Sequence, residues 1–145
     1  MKNILYAFLL ISTGFFVISC TDEGDSGPPT VEVISPEANE VFQIGSTINM
    51  KFRFKDDYGV RFYSYQFFHE TANIPGEFKN RKDIEINVPS NEFEVSPSVI
   101  IPTMTYDSIP TAIGNYTLRV IAVDWYNNQE VVDTPIKIEP SNLNK

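Results

Sequence analysis

The period of its apolar residues constrains this chain most. From Thr30 onward large apolar side chains recur at every second position, and no stretch keeps a helical period for long. Successive side chains of an extended strand point to opposite faces, so a period of two marks half-buried strands. Residues 116–123 show it best: Tyr116, Leu118, Val120 and Ala122 alternate with Thr117, Arg119, Ile121 and Val123. In residues 47–55, Ile48, Met50, Phe52 and Phe54 alternate with Asn49, Lys51, Arg53 and Lys55, which describes one strand with a basic outer face.

Further runs at 30–34, 41–44, 60–69, 84–88, 93–101 and 130–139 complete the set. They are separated by Ser35-Pro36, Gly45, the turn Asp56-Asp57-Tyr58-Gly59, Pro89-Ser90 and the hairpin residues 124–128. Residues 70–82 and 104–112 read as loops, because they gather Asn, Pro and Gly without alternation. The run 60–69 is aromatic on both sides, with Phe62 and Phe68 on one face and Tyr63, Tyr65 and Phe67 on the other. Such a strand is either central in its sheet or exposes an adhesive face. Pro97 suggests an edge or a crossing between sheets, and Pro135 an edge, since proline has no ladder proton to donate. The fold class is therefore all-β, an antiparallel sandwich of about seven to eight short strands.

The leading residues have another character. Lys2 and the terminal amine make a short positive end, residues 4–18 are an almost unbroken apolar run, and Val17-Ile18-Ser19-Cys20 closes it. That order makes an N-terminal secretory signal peptide. A membrane-spanning helix needs about 20 apolar residues; here Ser12, Thr13 and Gly14 interrupt a shorter run and no positive stop follows, so a permanent span is the weaker reading. The closing residues resemble the lipobox of bacterial lipoproteins, with an aliphatic residue three before the cysteine and a small one directly before it. That resemblance implies removal of residues 1–19, a diacylglycerol on the Cys20 thiol and an acyl group on its new amine. Two or three acyl chains hold a small domain at a bilayer where one is marginal. The alternative is an ordinary signal whose apolar run happens to end in cysteine.

Cys20 is also the only cysteine. A secreted domain with one cysteine has no intramolecular disulfide, and lipid on Cys20 would consume an otherwise free thiol. The core alone must then hold the fold, and about 125 mature residues suffice for one domain. The division expected is a lipoprotein signal at 1–19, an acidic tether at 20–29, the sandwich at 30–140 and a tail at 141–145. The tether, TDEGDSGPP after Cys20, contains no apolar residue. Its Asp22, Glu23 and Asp25 resemble the surface-export signal of Bacteroidetes lipoproteins; equally, any linker beside a headgroup layer is polar. The whole chain has eleven Lys and Arg against nineteen Asp and Glu; loss of Lys2 leaves ten against nineteen, a net of −9. Nucleic acid is an unsuitable partner for such a charge.

PPTVEVISPEANEVFQIGSTINMKFRFKDDYGV at 28–60 and GNYTLRVIAVDWYNN at 114–128 resemble the immunoglobulin-like modules of bacterial surface proteins. In particular the chain is similar to the DUF4625 family of Bacteroidetes lipoproteins, a domain of unknown function. The resemblance covers most of the mature chain and implies an immunoglobulin-like sandwich on the outer membrane, surface-exposed if the acidic signal acts. It implies no activity. Tyr126-Asn127 departs from the small residue and glycine usual in those modules. Gly114 permits a sharp entry to the run 116–123, and the Tyr116 hydroxyl can fold back on the preceding backbone as a tyrosine corner.

Candidate sites are few. If the strands follow immunoglobulin order, Asp56, Asp57, Asp124, Asn127 and Asn128 converge at the end where the tether enters. Calcium takes six to eight oxygen ligands, and this set is chemically adequate; Asp and Asn are also the ordinary residues of tight turns. No cofactor is otherwise required. Tyr63, Tyr65 and Phe67 on the aromatic strand, or Tyr58, Trp125 and Tyr126 on the loop rim, are the candidate binding surface. An exposed Trp125 is either an anchor for glycan or protein or a cover for the end of the sandwich. One histidine, His69, expected as a surface pair with Glu70, and no catalytic motif leave an enzyme without support. The function expected is a lipid-anchored, non-catalytic binding or accessory module with a protein or glycan partner. The alternatives are a calcium-stabilised structural module or subunit of an envelope complex, and a carbohydrate-binding module.

Overall fold

Strands form along the alternating runs and break where a residue cannot keep the ladder. In a computed structural model, which describes residues 27–141, the chain forms ten strands and, among the described residues, no helix. They are β1 (Thr30–Ser35), β2 (Glu40–Gln43), β3 (Thr47–Asn49), β4 (Lys51–Lys55), β5 (Val60–His69), β6 (Arg81–Glu85), β7 (Glu92–Val95), β8 (Ser98–Ile100), β9 (Gly114–Asp124) and β10 (Gln129–Glu139). The larger sheet has the order β2-β10-β9-β5-β6; the smaller layer is β1-β4-β7, continued by the pair β3-β8.

The sequence run 47–55, expected as one strand, is divided at Met50, and the run 93–101 at Ser96-Pro97. The Met50 N–H donates to the Pro97 carbonyl at 2.9 Å, so the ladder bridges both breaks at one point. Pro97 interrupts it because its ring nitrogen carries no proton. With β3 counted with β4 and β7 with β8, eight strands remain. All pair antiparallel except β2, which runs parallel to β10. The first two strands lie in opposite sheets, so the chain crosses the sandwich around Pro36. That crossing, with β9 between β5 and β10, is the arrangement of an immunoglobulin-like sandwich.

The inward faces make one core. Ile48, Phe52 and Phe54 from the smaller layer meet Tyr63, Tyr65 and Phe67 of β5 and Tyr116, Leu118, Val120 and Ala122 of β9. Ring contacts join the sheets, Phe54 to Tyr63 at 4.9 Å between centroids and Phe52 to Tyr65 at 5.8 Å. A bulge at Arg61 lets Val60 and Tyr63, an odd number of residues apart, both face inward. Tyr63, Tyr65 and Phe67, expected as a candidate contact surface, are therefore core residues, 7%, 5% and 3% exposed. The reason is the strand's position: β5 lies between β9 and β6, and its aromatic face is covered by Phe52, Phe54 and Phe93.

Three boundaries differ from the sequence reading. The edge strand β6 begins at Arg81, where a loop was expected to run to residue 82; Arg81 pairs with Gln66 and Glu85 with Phe62. An edge strand with solvent on its outer side tolerates the charged residues that concealed it. Pro135 does not mark an edge, because β2 pairs with β10 immediately beyond it, from Ile136 onward. The Asn39 N–H donates to the Pro135 carbonyl at 2.7 Å, which turns the nitrogen of the same residue away from β9, so that ladder loses nothing. Pro29, assigned above to the tether, is fully buried. The signal, Cys20 and the acids Asp22, Glu23 and Asp25 lie outside the described residues.

The basic face expected on residues 51–55 exists and is neutralised across strands. Lys51 meets Glu94 at 2.7 Å, Arg53 meets Glu32 at 2.8 Å and Glu94 at 2.6 Å, and Lys55 meets Glu92 at 3.0 Å. Exposed pairs contribute about 0–1 kcal/mol each, so this ladder sets register more than stability.

Candidate functional site

The two ends of the sandwich are built differently. Thr30 at the start of β1 pairs with Lys55, and Val60 at the start of β5 pairs with Asp124 at the end of β9. Turn 56–59, loop 86–91 and hairpin 125–128 therefore share the end at which the described chain begins. Gly27 and Pro28 line one shallow depression there with Asp56, Asp57 and Asn91.

Asp124 organises the hairpin. Its carboxylate, 0% exposed, accepts the Tyr126 N–H at 2.7 Å, the Asn128 N–H at 2.8 Å and the Asn128 side-chain amide at 2.7 Å. Asn127 supplies the left-handed turn residue, with φ of 70°. Across from it, Asp56 accepts the Tyr58 N–H at 2.9 Å, and the Asn91 amide donates to the Asp57 carbonyl at 3.1 Å. The two turns expected to converge are thus neighbours. In the described geometry Asp124, Asp56, Asn127 and Asn128 serve those turns. Among the described residues, no group of three or more His, Cys, Asp or Glu side chains is gathered to hold a metal ion.

The same turns expose apolar side chains. Tyr58, Trp125 and Tyr126 are 45%, 41% and 50% exposed, and Val88 on the adjacent loop is 73% exposed. Tyr58 and Tyr126 meet edge to face at 5.1 Å between centroids, so two of the rim residues pack on each other across the two turns.

The opposite end is formed by loops 70–80 and 101–113. Tyr116, 1% exposed, donates its hydroxyl to the Ala112 carbonyl at 2.9 Å and accepts the Phe78 N–H at 3.2 Å, tying both loops to β9. Ala112 in turn donates its N–H to the Gly76 carbonyl at 2.7 Å. Gly76 has φ of 78°, and a Cβ there would lie 2.1 Å from the Pro110 carbonyl oxygen, so only glycine allows this approach. Residues 103–111 form a small hairpin closed by Thr105 N–H to Ile109 carbonyl at 2.8 Å and Thr111 N–H to Thr103 carbonyl at 3.1 Å.

Between the two loops lies an open cavity of about 540 Å³ lined by Ile74, Phe78, Asn80, Ile100, Met104 and Ile109 among others. Tyr106 at the hairpin tip is fully exposed, and Ile100 and Met104 are 66% and 57% exposed. The carboxamide oxygen of Asn80 is buried with no hydrogen-bond partner. The sequence reading passed over these residues because they fall in loops without alternation. The signal it could have used is the density of large apolar residues, Met104, Tyr106 and Ile109, in so short a loop.

His69 sits at the border of this end. Its Nδ1 accepts the Thr71 N–H at 2.9 Å, which leaves Nε2 as the donor to the Ile113 carbonyl at 3.3 Å, and its ring packs edge-on against Tyr116 at 4.9 Å. It does not pair with Glu70, which accepts the Asn115 amide at 2.9 Å instead. Burial pushes the phenols of Tyr63, Tyr65 and Tyr116 above their ordinary pKa, since the interior disfavours the phenolate.

No family model and no curated protein matches the sequence. Among solved structures the chain is similar to the fibronectin(III)-like modules of Clostridium thermocellum CbhA, at 18% identity and a TM-score of 0.48, covering 77% of this chain and 47% of that one. It is similar to the sporulation control protein Spo0M of Bacillus subtilis, at 14% identity and a TM-score of 0.46, covering 78% and 50%. A superoxide reductase (neelaredoxin) from Ignicoccus hospitalis gives 12% identity and a TM-score of 0.44, covering 78% and 81%. The chain spans about half the length or less of most of these structures. Such likenesses carry nothing about activity.

Proposed function

We propose that the chain is a lipid-anchored domain of a bacterial envelope, held through Cys20 at the outer membrane, that recognises a protein partner without catalysis. The observation that supports this reading is the placement of the open cavity at the end opposite Gly27, where the described chain begins. A domain tethered by its N-terminal side presents that far end away from the bilayer. Its lining mixes apolar residues, Ile74, Ile100, Met104 and Ile109, with the polar and charged Glu77, Lys79 and Asp107, which suits a segment of protein chain; sugars stack on flat aromatic rings, and only Tyr106 and Phe78 offer one here. The resemblance to DUF4625 lipoproteins and the lipobox support the setting.

The test is co-purification of the detergent-solubilised lipoprotein from its native envelope, comparing the natural chain with Met104→Asp and Ile109→Asp. Both positions lie on the loop hairpin outside the core, so thermal stability should hold while the co-purifying protein is lost. Retention of the partner by both variants would remove the cavity from the account.

A further inference from the structure

The remaining exposed apolar surface is at the other end, and its composition differs from that of the cavity. Tyr58, Trp125, Tyr126 and Val88 stand on three separate turns around the point where the chain enters, 41% exposed or more. Trp and Tyr are the side chains favoured at a bilayer's headgroup level, because a large apolar ring and a polar atom share one residue. The chain outside the described residues says what can reach this rim. Cys20 and Gly27 are separated only by residues 21–26, and a fully extended chain of that length spans no more than about 25 Å. Strands β9 and β10, of 11 residues each, extend the sandwich by roughly 35 Å in the opposite direction. With lipid on Cys20, the aromatic rim is the end of the described domain nearest the anchor.

We infer that Tyr58, Val88, Trp125 and Tyr126 seat the domain in the headgroup region of the bilayer to which Cys20 is anchored. This rests on the anchored reading above. The rim thereby converts a tether into a fixed orientation, with the cavity at the opposite end directed outward. Asp124 supports the surface indirectly, since its three hydrogen bonds shape the hairpin that displays Trp125 and Tyr126. Nearby Asp56 and Asp57 disfavour anionic headgroups, so the matching surface is a zwitterionic one.

Two facts of the sequence make the test clean: Cys20 is the only cysteine and Trp125 the only tryptophan. Residues 20–145 contain every described strand and the described core, and their single thiol can be coupled to a maleimide lipid in phosphatidylcholine vesicles. The thioether imposes the tether whether or not the native chain is acylated. Trp125 emission is then read with and without brominated acyl chains. The expected result is a blue shift on coupling and a loss of emission in the vesicles with brominated chains relative to those without, both greatly reduced in Tyr58→Ser/Tyr126→Ser with an unchanged melting temperature. Emission identical in the coupled and uncoupled domain would overturn the inference. Acylation of the native Cys20 is read separately, from the mass of the mature protein, so a failed anchor and a failed seating are distinct results.

Discussion

Asp124 organises its hairpin, because one buried carboxylate accepts three hydrogen bonds from residues 126 and 128. Asp124→Ala removes three accepted hydrogen bonds and should destabilise the domain by about 2–4 kcal/mol in denaturant unfolding, whereas Asp124→Asn retains one acceptor and should cost less. Tyr116 holds the far end in the same way. Tyr116→Phe keeps the ring in the core but removes a donor to Ala112 and an acceptor from Phe78, and a loss of about 1–3 kcal/mol is expected. The role of Tyr116 could be read from Gly114 and the alternation that follows. Its second partner, Phe78, could not, since a contact across 38 residues of loop and strand leaves no local pattern. The same holds for His69, whose neighbour in sequence, Glu70, is not its partner in space.

At the scale of elements, the alternating runs were legible because each is half-buried and period two follows from the pleat. What the pattern does not encode is which strands pair. Residues 47–55 read as one strand because burial alternates unbroken through Met50, while the change of partner there depends on Pro97, far along the chain. Nor does alternation say which face of β5 is inward when both are aromatic; the sheet order decides it. That burial makes a pH dependence. Tyr63, Tyr65 and Tyr116 have folded-state pKa values above the usual phenol value of 10.0. Their contribution to stability is complete below that value and is lost as pH rises through the folded values. Alkaline titration followed at the phenolate absorption should therefore show these three ionising together with unfolding. On the acid side, hydrogen bonds from Lys51 and Arg53 lower the pKa of Glu94, and the hydrogen bond from Arg119 lowers that of Asp133. Their contribution is present above the ordinary carboxylate range and fades as pH falls through the lowered values. Because both pairs are solvent-exposed, the change in unfolding midpoint at low pH should be small and should shrink with salt.

For the whole molecule, the two ends of the sandwich differ: the end where the described chain begins is rimmed with aromatic residues, and the far end carries an open cavity of mixed lining. The calcium alternative is tested at this scale, since a ligand that binds only the folded state raises its stability by mass action. With Asp124 committed to its hairpin, EDTA and millimolar calcium should give the same melting temperature; a rise of many degrees with calcium would return the two turns to the role of a metal site. The central claim, that the far end is where a partner is met, is tested most directly by placing a photo-crosslinking residue at Met104 or Tyr106 of the lipoprotein in its native envelope, with Val131 on the sheet as the control position. Protein adducts from positions 104 and 106 and none from 131 are the expected result; adducts from 131 alone would contradict the account and move recognition to the face of the sheet.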